Sequence, residues 1–393
     1  MKMLIRLASM LMAAILTAGA LASCGKNSLR PHDPLPPIQA LFLHVGYMYG
    51  TTNAKYVSYS DEDIQKLTDI GVTEVCIAYG TPVVSYTPEG AAEPQMIVTA
   101  EDVNNMSPEL VGPDKTENDI TEIKSVYSER VKQLDDGLTL EAYADFALEL
   151  MERLIAINPE IKIWYSFPDI AIHPLSQMYI DPFLQYYEMM KSRTGEEIWN
   201  NNIQGFYWLC EGITTEPYDN FDTENLVDFD NEMVKAMKAC ADVVHDDGKF
   251  TFWCPYYRPN MSISMPIGFI ANQTDIFDYV ILQPNHVFAT GLEDNIEIIK
   301  QSTLKNAVLN QNMIAYGGEK KSSTMIGPEM EMEASDFNGS NSEDILSRYQ
   351  DYVDAYGDML GEYPMAFYCG ARPSLMDEKI IGLLADFLSK NAE

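Results

Sequence analysis

The sequence predicts a single (β/α)8 TIM barrel, an α/β fold, and three observations support it. Short apolar runs alternate with amphipathic helical patterns along the chain. The runs are almost continuously apolar, which is typical of parallel strands that are buried on both faces. Eight such runs occur, each followed by a helical pattern or a long insertion. Alternation of this kind favours a parallel sheet that closes on itself.

The order of the strands follows directly from these runs. The seventh strand has two candidates, MIAYGGE (313–319) and GPEMEMEA (327–334). We prefer the second, because its residues alternate strictly and its proline lies near the strand start, where proline is tolerated. The eight strand candidates are 40–47, 73–80, 161–168, 203–211, 249–257, 277–288, 327–334 and 364–370, and the main helical patterns are 60–71, 139–158, 226–248, 292–310, 342–360 and 375–391.

The composition fits one large domain and argues against several partners. The chain has 393 residues, 46% of them hydrophobic, which is enough for one barrel-sized core. Its net charge of −33 argues against nucleic acid, since phosphate contacts need clustered lysine and arginine. The five cysteines after Cys24 are odd in number and lack C-x-x-C spacing. We therefore expect buried thiols, no metal, no cofactor and a monomer.

The N-terminus is typical of a lipoprotein of the cell envelope. Residues 1–23 combine Lys2 and Arg6 with an apolar run and small residues, as in a secretory signal peptide. The LASC ending resembles a bacterial lipobox and predicts lipidation of Cys24. Residues 24–37 then form a polar, proline-containing tether, and 38–393 form the barrel. This predicts a lipid anchor in the outer membrane or at the cell surface, outside the cytoplasm.

The candidate site residues are those that end the predicted strands. In a barrel of this type the active site lies at the C-terminal ends of the strands, and the long loop at about 80–138 follows the second strand at the same end. Acids, amides and broad aromatic rings gathered there suit a sugar-binding cleft. The predicted substrate-binding residues are Tyr47, Tyr165, Asp169, Trp208, Trp253, Tyr256, Tyr257, Gln283, Asn285, His286 and Tyr368.

Three glutamates are the catalytic candidates. Glycoside hydrolysis commonly uses two carboxyl groups, one protonated and one charged. Glu211 ends a run rich in Trp and Cys, where desolvation would raise its pKa and suit it to the role of acid. The glutamates of PEMEME share one parity, so we expect them to face inward while Met330 and Met332 face the helices. Glu331 is the preferred second carboxylate or nucleophile, with Glu329 as its competitor.

Two other functions remain open at this point. A non-catalytic surface glycan-binding protein could use the same barrel and the same aromatic residues. A metal-dependent hydrolase could use His44, His286 and the glutamates. The chain has no H-E-x-x-H, G-x-S-x-G, Walker loop or G-x-G-x-x-G, which argues against zinc-protease, serine-hydrolase and nucleotide functions.

Several segments together resemble an uncharacterised bacterial family of unknown function, whose members are regarded as glycoside-hydrolase-like TIM barrels. The most specific elements are Trp-x-Pro-Tyr-Tyr at 253–257 and Gln-Pro-Asn at 283–285. The resemblance spans roughly Ile38 to the C-terminus and implies a carbohydrate-related function. Glu211 and Glu331 are also similar in placement to the acid/base and nucleophile of retaining barrel glycosidases. The residue before the acid is Cys210, where that clan usually has asparagine.

Overall fold

A computed structural model describes most of the chain and confirms the barrel. It describes residues 35–48, 55–79, 83, 85–88, 90–96, 118, 121, 139–168, 180–213, 232–259 and 264–392. The signal peptide, Cys24, almost all of the tether and most of the loop expected at 80–138 lie outside these ranges. The barrel strands are β1 Gln39–Met48, β2 Glu74–Tyr79, β3 Lys162–Ser166, β4 Ile203–Trp208, β5 Phe250–Trp253, β6 Tyr279–Leu282, β7 Met325–Glu331 and β8 Met365–Tyr368.

The eight strands are parallel and the sheet is closed. Each strand pairs with the next along the chain, and β1 also pairs with β8 through the register Gln39 to Met365. Closure leaves the barrel without a free edge. The end of β1 pairs in addition with the short antiparallel strand Lys55–Val57, and residues 85–86 pair with 95–96.

Helices surround the barrel within the described ranges. The first begins after Ser60, which forms a capping box with Asp63. No helix of the described residues is long and apolar enough to cross a membrane. The helices are α1 Asp61–Asp69, α2 Leu140–Ile157, α3 Asp181–Thr194, α4 Glu196–Asn201, α5 Glu232–Asp246, α6 Ser264–Gln273, α7 Glu293–Leu304, α8 Ala334–Phe337, α9 Ser342–Tyr356, α10 Arg372–Leu375 and α11 Glu378–Leu388.

The seventh strand is the one that its alternation predicts. β7 covers Met325–Glu331 and pairs with β6 and β8. The competing segment 313–319 lies among turns, with one isolated bridge between Leu309 and Ala315. Several strands end earlier than the apolar runs suggest, because the chain continues into buried loops. Glu211 thus lies three positions after the last residue of β4 rather than within it.

The hydrophobic core has two parts, one inside the barrel and one between the barrel and the helices. An aromatic column fills the interior, and Tyr207 contacts Phe42 and Phe252 with ring centroids 5.0 and 4.6 Å apart. Trp164 contacts Phe252 edge-on at 4.9 Å. The interior below the mouth is therefore closed by packed rings and is not a channel.

Two glycines let neighbouring strands approach closely. At Gly205 an added Cβ would lie 1.7 Å from the carbonyl oxygen of Phe250, and at Gly327 it would lie 1.7 Å from that of Pro364. Gly205 follows a register shift between β3 and β4, where Ile163 pairs with Ile203 but Trp164 pairs with Gly205. On its other side the β5 backbone lies so close that only glycine fits there.

Candidate active site

Glu211 lies at the mouth of the barrel, as predicted, just beyond β4. Its residue surface is exposed, while protein atoms surround its carboxyl group. This partial desolvation raises the pKa of Glu211, and a hydrogen bond from the side chain of Gln283 opposes the rise. Glu211 is therefore a carboxyl group that solvent reaches and that a neutral amide orients.

The backbone around Glu211 is held by the segment that follows β5. The Tyr256 N–H donates to the Glu211 carbonyl at 3.1 Å. The indole N–H of Trp253 donates to the Cys210 carbonyl at 2.7 Å. Both hydrogen bonds continue the contact between β4 and β5 beyond the strand ends, so Glu211 is placed by the barrel itself.

The inward-facing glutamates of β7 bring two more carboxyl groups to the mouth. Met330 and Met332 are fully buried in the layer that faces the helices, and Glu329 and Glu331 lie on the opposite parity. The prediction that the glutamates of PEMEME face inward and its methionines face the helices is thus confirmed. Glu329 is 3% exposed and Glu331 is 1% exposed, so both carboxyl groups are almost withdrawn from solvent.

Glu331 is held by two donors. Its Oε1 accepts a hydrogen bond from the Asn285 N–H at 3.1 Å, and its Oε2 accepts from the hydroxyl of Tyr352 in α9. That hydroxyl also accepts from the N–H groups of His286 at 2.9 Å and Val287 at 3.2 Å. A tyrosine hydroxyl has two lone pairs and one hydrogen. Since both lone pairs are used, its hydrogen points at Glu331.

Glu329 has a weaker partner. The thiol of Cys254 donates to its Oε1 at 3.3 Å, and a thiol is a poor donor. Burial, then the charges of Glu331 and Glu211, raise the pKa of Glu329 well above its usual range. Burial also raises the pKa of Glu331, to about 8, although the hydrogen bonds from Tyr352 and Asn285 oppose this. The three carboxyl groups therefore do not all ionise near neutral pH.

Gln283 and Asn285 lie where the sequence analysis placed them, after β6. The Gln283 amide is buried and donates to the Cys254 carbonyl at 3.0 Å, besides its bond to Glu211. Asn285 is half-buried and has a φ of 56°, in the left-handed region that asparagine tolerates better than most residues. This turn points the Asn285 N–H at Glu331, so its backbone is part of the site.

Aromatic side chains form part of the rim. Tyr368 is half-buried, and its ring contacts the exposed ring of Phe288 edge-on at 6.1 Å and the ring of His44 at 5.7 Å. Tyr256 is also half-buried, and the guanidinium of Arg258 lies over its ring at 5.2 Å. Burial lowers the pKa of His44 to about 4, so its ring is neutral near pH 7.

Four residues expected in the cleft lie instead among the helices, which corrects that prediction. Trp208 is 2% exposed and packs on Phe183 of α3, with ring centroids 5.1 Å apart. Trp253 packs on Phe277, and its role at the mouth is the hydrogen bond to Cys210. The reason is parity, since these side chains point away from the barrel axis. The corrected residues are Tyr165, Trp208, Trp253 and Tyr257, and all four belong to the outer core.

His286 also points away from the mouth. Its ring is 1% exposed, and its Nε2 lies 2.9 Å from Asp351 of α9. Only its backbone N–H contributes, through Tyr352, to the network of Glu331. The expectation that the His286 side chain binds substrate is corrected accordingly, because the turn at Asn285 directs it toward the helix.

The other predicted residues are less completely described. Tyr47 lies near the end of β1, where it pairs with Tyr56, and Asp169 lies outside the described residues. No group of three or more His, Cys, Asp or Glu side chains in the described ranges is arranged to hold a metal ion.

Two functional candidates were missed by the sequence analysis. Tyr352 belongs to a regular helical pattern, and nothing local to it indicates a contact with a strand 21 residues earlier. Phe288 follows β6 by six residues and is 37% exposed, which is unusual for a phenylalanine. Its place at the end of an apolar run could have marked it as a rim residue.

Comparisons with known proteins give distant structural similarity only. No protein-family model matches the chain, and no curated protein matches it. A structure provisionally described as an alpha-L-fucosidase from Bacteroides thetaiotaomicron is 12% identical, with a TM-score of 0.42, over 91% of this chain and 96% of that one. The cellulose synthase subunit Z of Clostridioides difficile is 10% identical, with a TM-score of 0.36, over 89% and 99%. A GH138 enzyme targeting pectin rhamnogalacturonan II is 11% identical, with a TM-score of 0.35, over 92% and 39%. Membership of the family that the motifs resemble stays a prediction.

Proposed function

We propose that this protein is a glycoside hydrolase of the cell envelope that cleaves a poly- or oligosaccharide with two carboxyl groups. The observation that carries the proposal is the meeting of Glu211, Glu329 and Glu331 at the C-terminal mouth of the barrel. One of these groups is exposed and two are buried, and their charges act on one another. Hydrolysis of a glycosidic bond by two carboxyl groups needs one group that is protonated and one that is charged.

The burial of the three groups supports a division of roles. Glu211 is the most exposed residue of the three, and the hydrogen bond from Gln283 favours its charged form, so it suits the role of nucleophile or base. Glu331 is buried and keeps its proton up to a pKa of about 8, so it suits the role of general acid. This division is the reverse of the one expected from the sequence, where Glu211 donates the proton.

The rim supports a sugar as the ligand. The exposed face of Phe288 and the half-buried rings of Tyr368 and Tyr256 offer apolar surface to pyranose rings. Asn285 and Arg258 are half-buried polar side chains beside them, suited to hydroxyl groups. A ligand of this class needs flat apolar contacts together with a few well-placed polar groups.

The test is release of reducing ends from a panel of plant, host and microbial glycans by the full-length chain. We expect release by the wild type and a loss of about 10³-fold in Glu211→Gln, which keeps the shape but cannot act as nucleophile or base. Glycan binding by the variant should persist, and affinity electrophoresis on the same glycans measures it. Equal release by the wild type and the variant would refute the role of Glu211.

A non-catalytic glycan-binding protein is the second candidate, and one observation favours it. Both oxygens of Glu331 already accept hydrogen bonds from the protein, and the residue is only 1% exposed. A binding protein would show no release from any glycan. It would bind the same glycan with the wild-type chain and with Glu211→Gln.

The envelope location is part of the proposal and has its own test. It rests on the signal-peptide pattern of residues 1–23 and on Cys24. In a bacterial host we expect the wild type in the membrane fraction and Cys24→Ser in the soluble fraction, because the variant cannot carry a thioether-linked lipid. Immunoblots of the two fractions measure this. A Cys24→Ser chain that stays in the membrane fraction would argue against the anchor.

A further inference from the structure

Glu329 is a buried carboxyl group to which the two-carboxylate reaction assigns no step. It lies two residues before Glu331 on the same face of β7, one layer deeper in the barrel. Its residue is 3% exposed, and its one hydrogen-bond donor in the described residues is the Cys254 thiol. Glu331, by contrast, has a backbone N–H and a tyrosine hydroxyl as donors.

Among the described residues, the groups whose charges act on that of Glu329 are acidic. Glu331 lies on its own strand, and Glu211 follows β4. The phenol of Tyr207 on β4, and Tyr368 and Cys369 at the end of β8, also lie close enough for their charges to interact with that of Glu329. The His44 ring, which contacts Tyr368, is neutral near pH 7.

Ionising the Glu329 carboxyl group in these surroundings would cost free energy. A buried charge needs a partner or several strong donors, and otherwise the group takes up a proton. Glu329 has one weak donor and two acidic neighbours, whereas Glu331 has two good donors. As pH rises, Glu331 is therefore the first of the β7 pair to release its proton, and Glu329 keeps its own to higher pH.

We propose that Glu329 stays protonated at neutral pH and acts as a hydrogen-bond donor on the floor of the cleft, without transferring its proton. Its hydroxyl hydrogen is then available to an acceptor oxygen of a bound sugar. Glu329 is thus a specificity-determining residue and not the second catalytic carboxylate. The contact with sugar rests on the proposed function, while the protonation does not.

The first test measures protonation without any ligand. A proton that the folded chain holds and the unfolded chain releases makes unfolding easier as pH rises. For Glu329 this contribution is complete below about pH 4.5 and is lost as pH rises toward the folded pKa. Each such proton changes the unfolding equilibrium constant tenfold per pH unit.

We therefore expect the unfolding constant of Glu329→Gln, followed by circular dichroism in urea between pH 5 and 8, to rise less steeply than that of the wild type. The difference should be close to tenfold per pH unit, because glutamine keeps the shape and has no proton to lose. Glu343→Gln, at an exposed position of α9, is the control and should follow the wild type. Equal slopes for Glu329→Gln and the wild type would overturn the proposal.

The second test measures the donor role by turnover. Glutamine can still donate a hydrogen bond and methionine cannot, so we expect Glu329→Gln to lose less than tenfold in kcat/KM and Glu329→Met to lose more than a hundredfold. A loss in Glu329→Gln as large as that in Glu331→Gln would overturn the donor role. If the wild type releases no sugar at all, the proposed function fails, and the unfolding slopes still decide whether Glu329 holds its proton.

Discussion

Replacing Glu331 with glutamine should lower kcat/KM for glycan hydrolysis by about 10³-fold, the middle of the range for a general acid. Glu331→Gln keeps the volume of the side chain but removes the proton that would be given to the leaving oxygen. Reducing-end assays on the glycan that the wild type cleaves would measure this. The binding affinity should change far less than the turnover, because the loss falls on the transition state.

The pH profile gives the matched control for this prediction. With Glu331 as the acid, kcat/KM of the wild type should fall above a pKa of about 8, where that group loses its proton. Tyr352→Phe removes a hydrogen bond that lowers the pKa of Glu331, so the basic limb should move to higher pH. If kcat/KM of Tyr352→Phe falls at the same pH as that of the wild type, a group other than Glu331 controls the basic limb. Activity retained in Glu331→Gln would reject Glu331 as the acid.

Replacing Gly205 with alanine should lower the free energy of unfolding by about 4 kcal/mol or more, or prevent folding. The added Cβ would lie 1.7 Å from the carbonyl oxygen of Phe250, and a backbone atom on a neighbouring barrel strand has little room to move. The effect comes from the close approach of the β4 and β5 backbones and is independent of any function. Urea unfolding followed by circular dichroism measures it.

Gly382→Ala is the matched control for Gly205→Ala. Gly382 lies inside α11, and an added Cβ there would meet no heavy atom within 4 Å. Alanine favours a helix over glycine by up to about 1 kcal/mol, so this variant should be slightly more stable than the wild type. A Gly205→Ala chain as stable as Gly382→Ala would contradict the close approach of β4 and β5.

The strand order and the division of the β7 side chains were both accessible from the sequence. Parallel strands of a closed barrel are buried on both faces, so their apolar runs stand out between amphipathic helices. The alternation of Glu329, Met330, Glu331 and Met332 assigned the faces, because an acid and a methionine differ sharply in where they can be buried. The same reasoning placed Glu211 at the mouth, within three residues of the strand end.

The sequence does not predict in the same way which aromatic side chains face the barrel axis and which face the helices. In the run IQGFYWLCE, apolar residues occupy both parities from Phe206 to Cys210, so hydrophobicity does not show which rings face the axis. Trp208 and Trp253 were expected in the cleft for that reason, and both face the helices. The register shift before Gly205 further changes which residues of β4 oppose those of β3.

The sequence by itself determined that this chain folds as a barrel and that acidic side chains meet at its mouth. Those features depend on local periodicity and on the order of the segments along the chain, and both can be read from the amino-acid sequence. Only the tertiary structure decided that Glu331 takes its donors from Tyr352 and the Asn285 backbone, while the donor that the described part of the chain gives Glu329 is the Cys254 thiol. These contacts join residues 21, 46 and 75 positions apart, so the proton affinities at the site depend on how the barrel brings distant segments together.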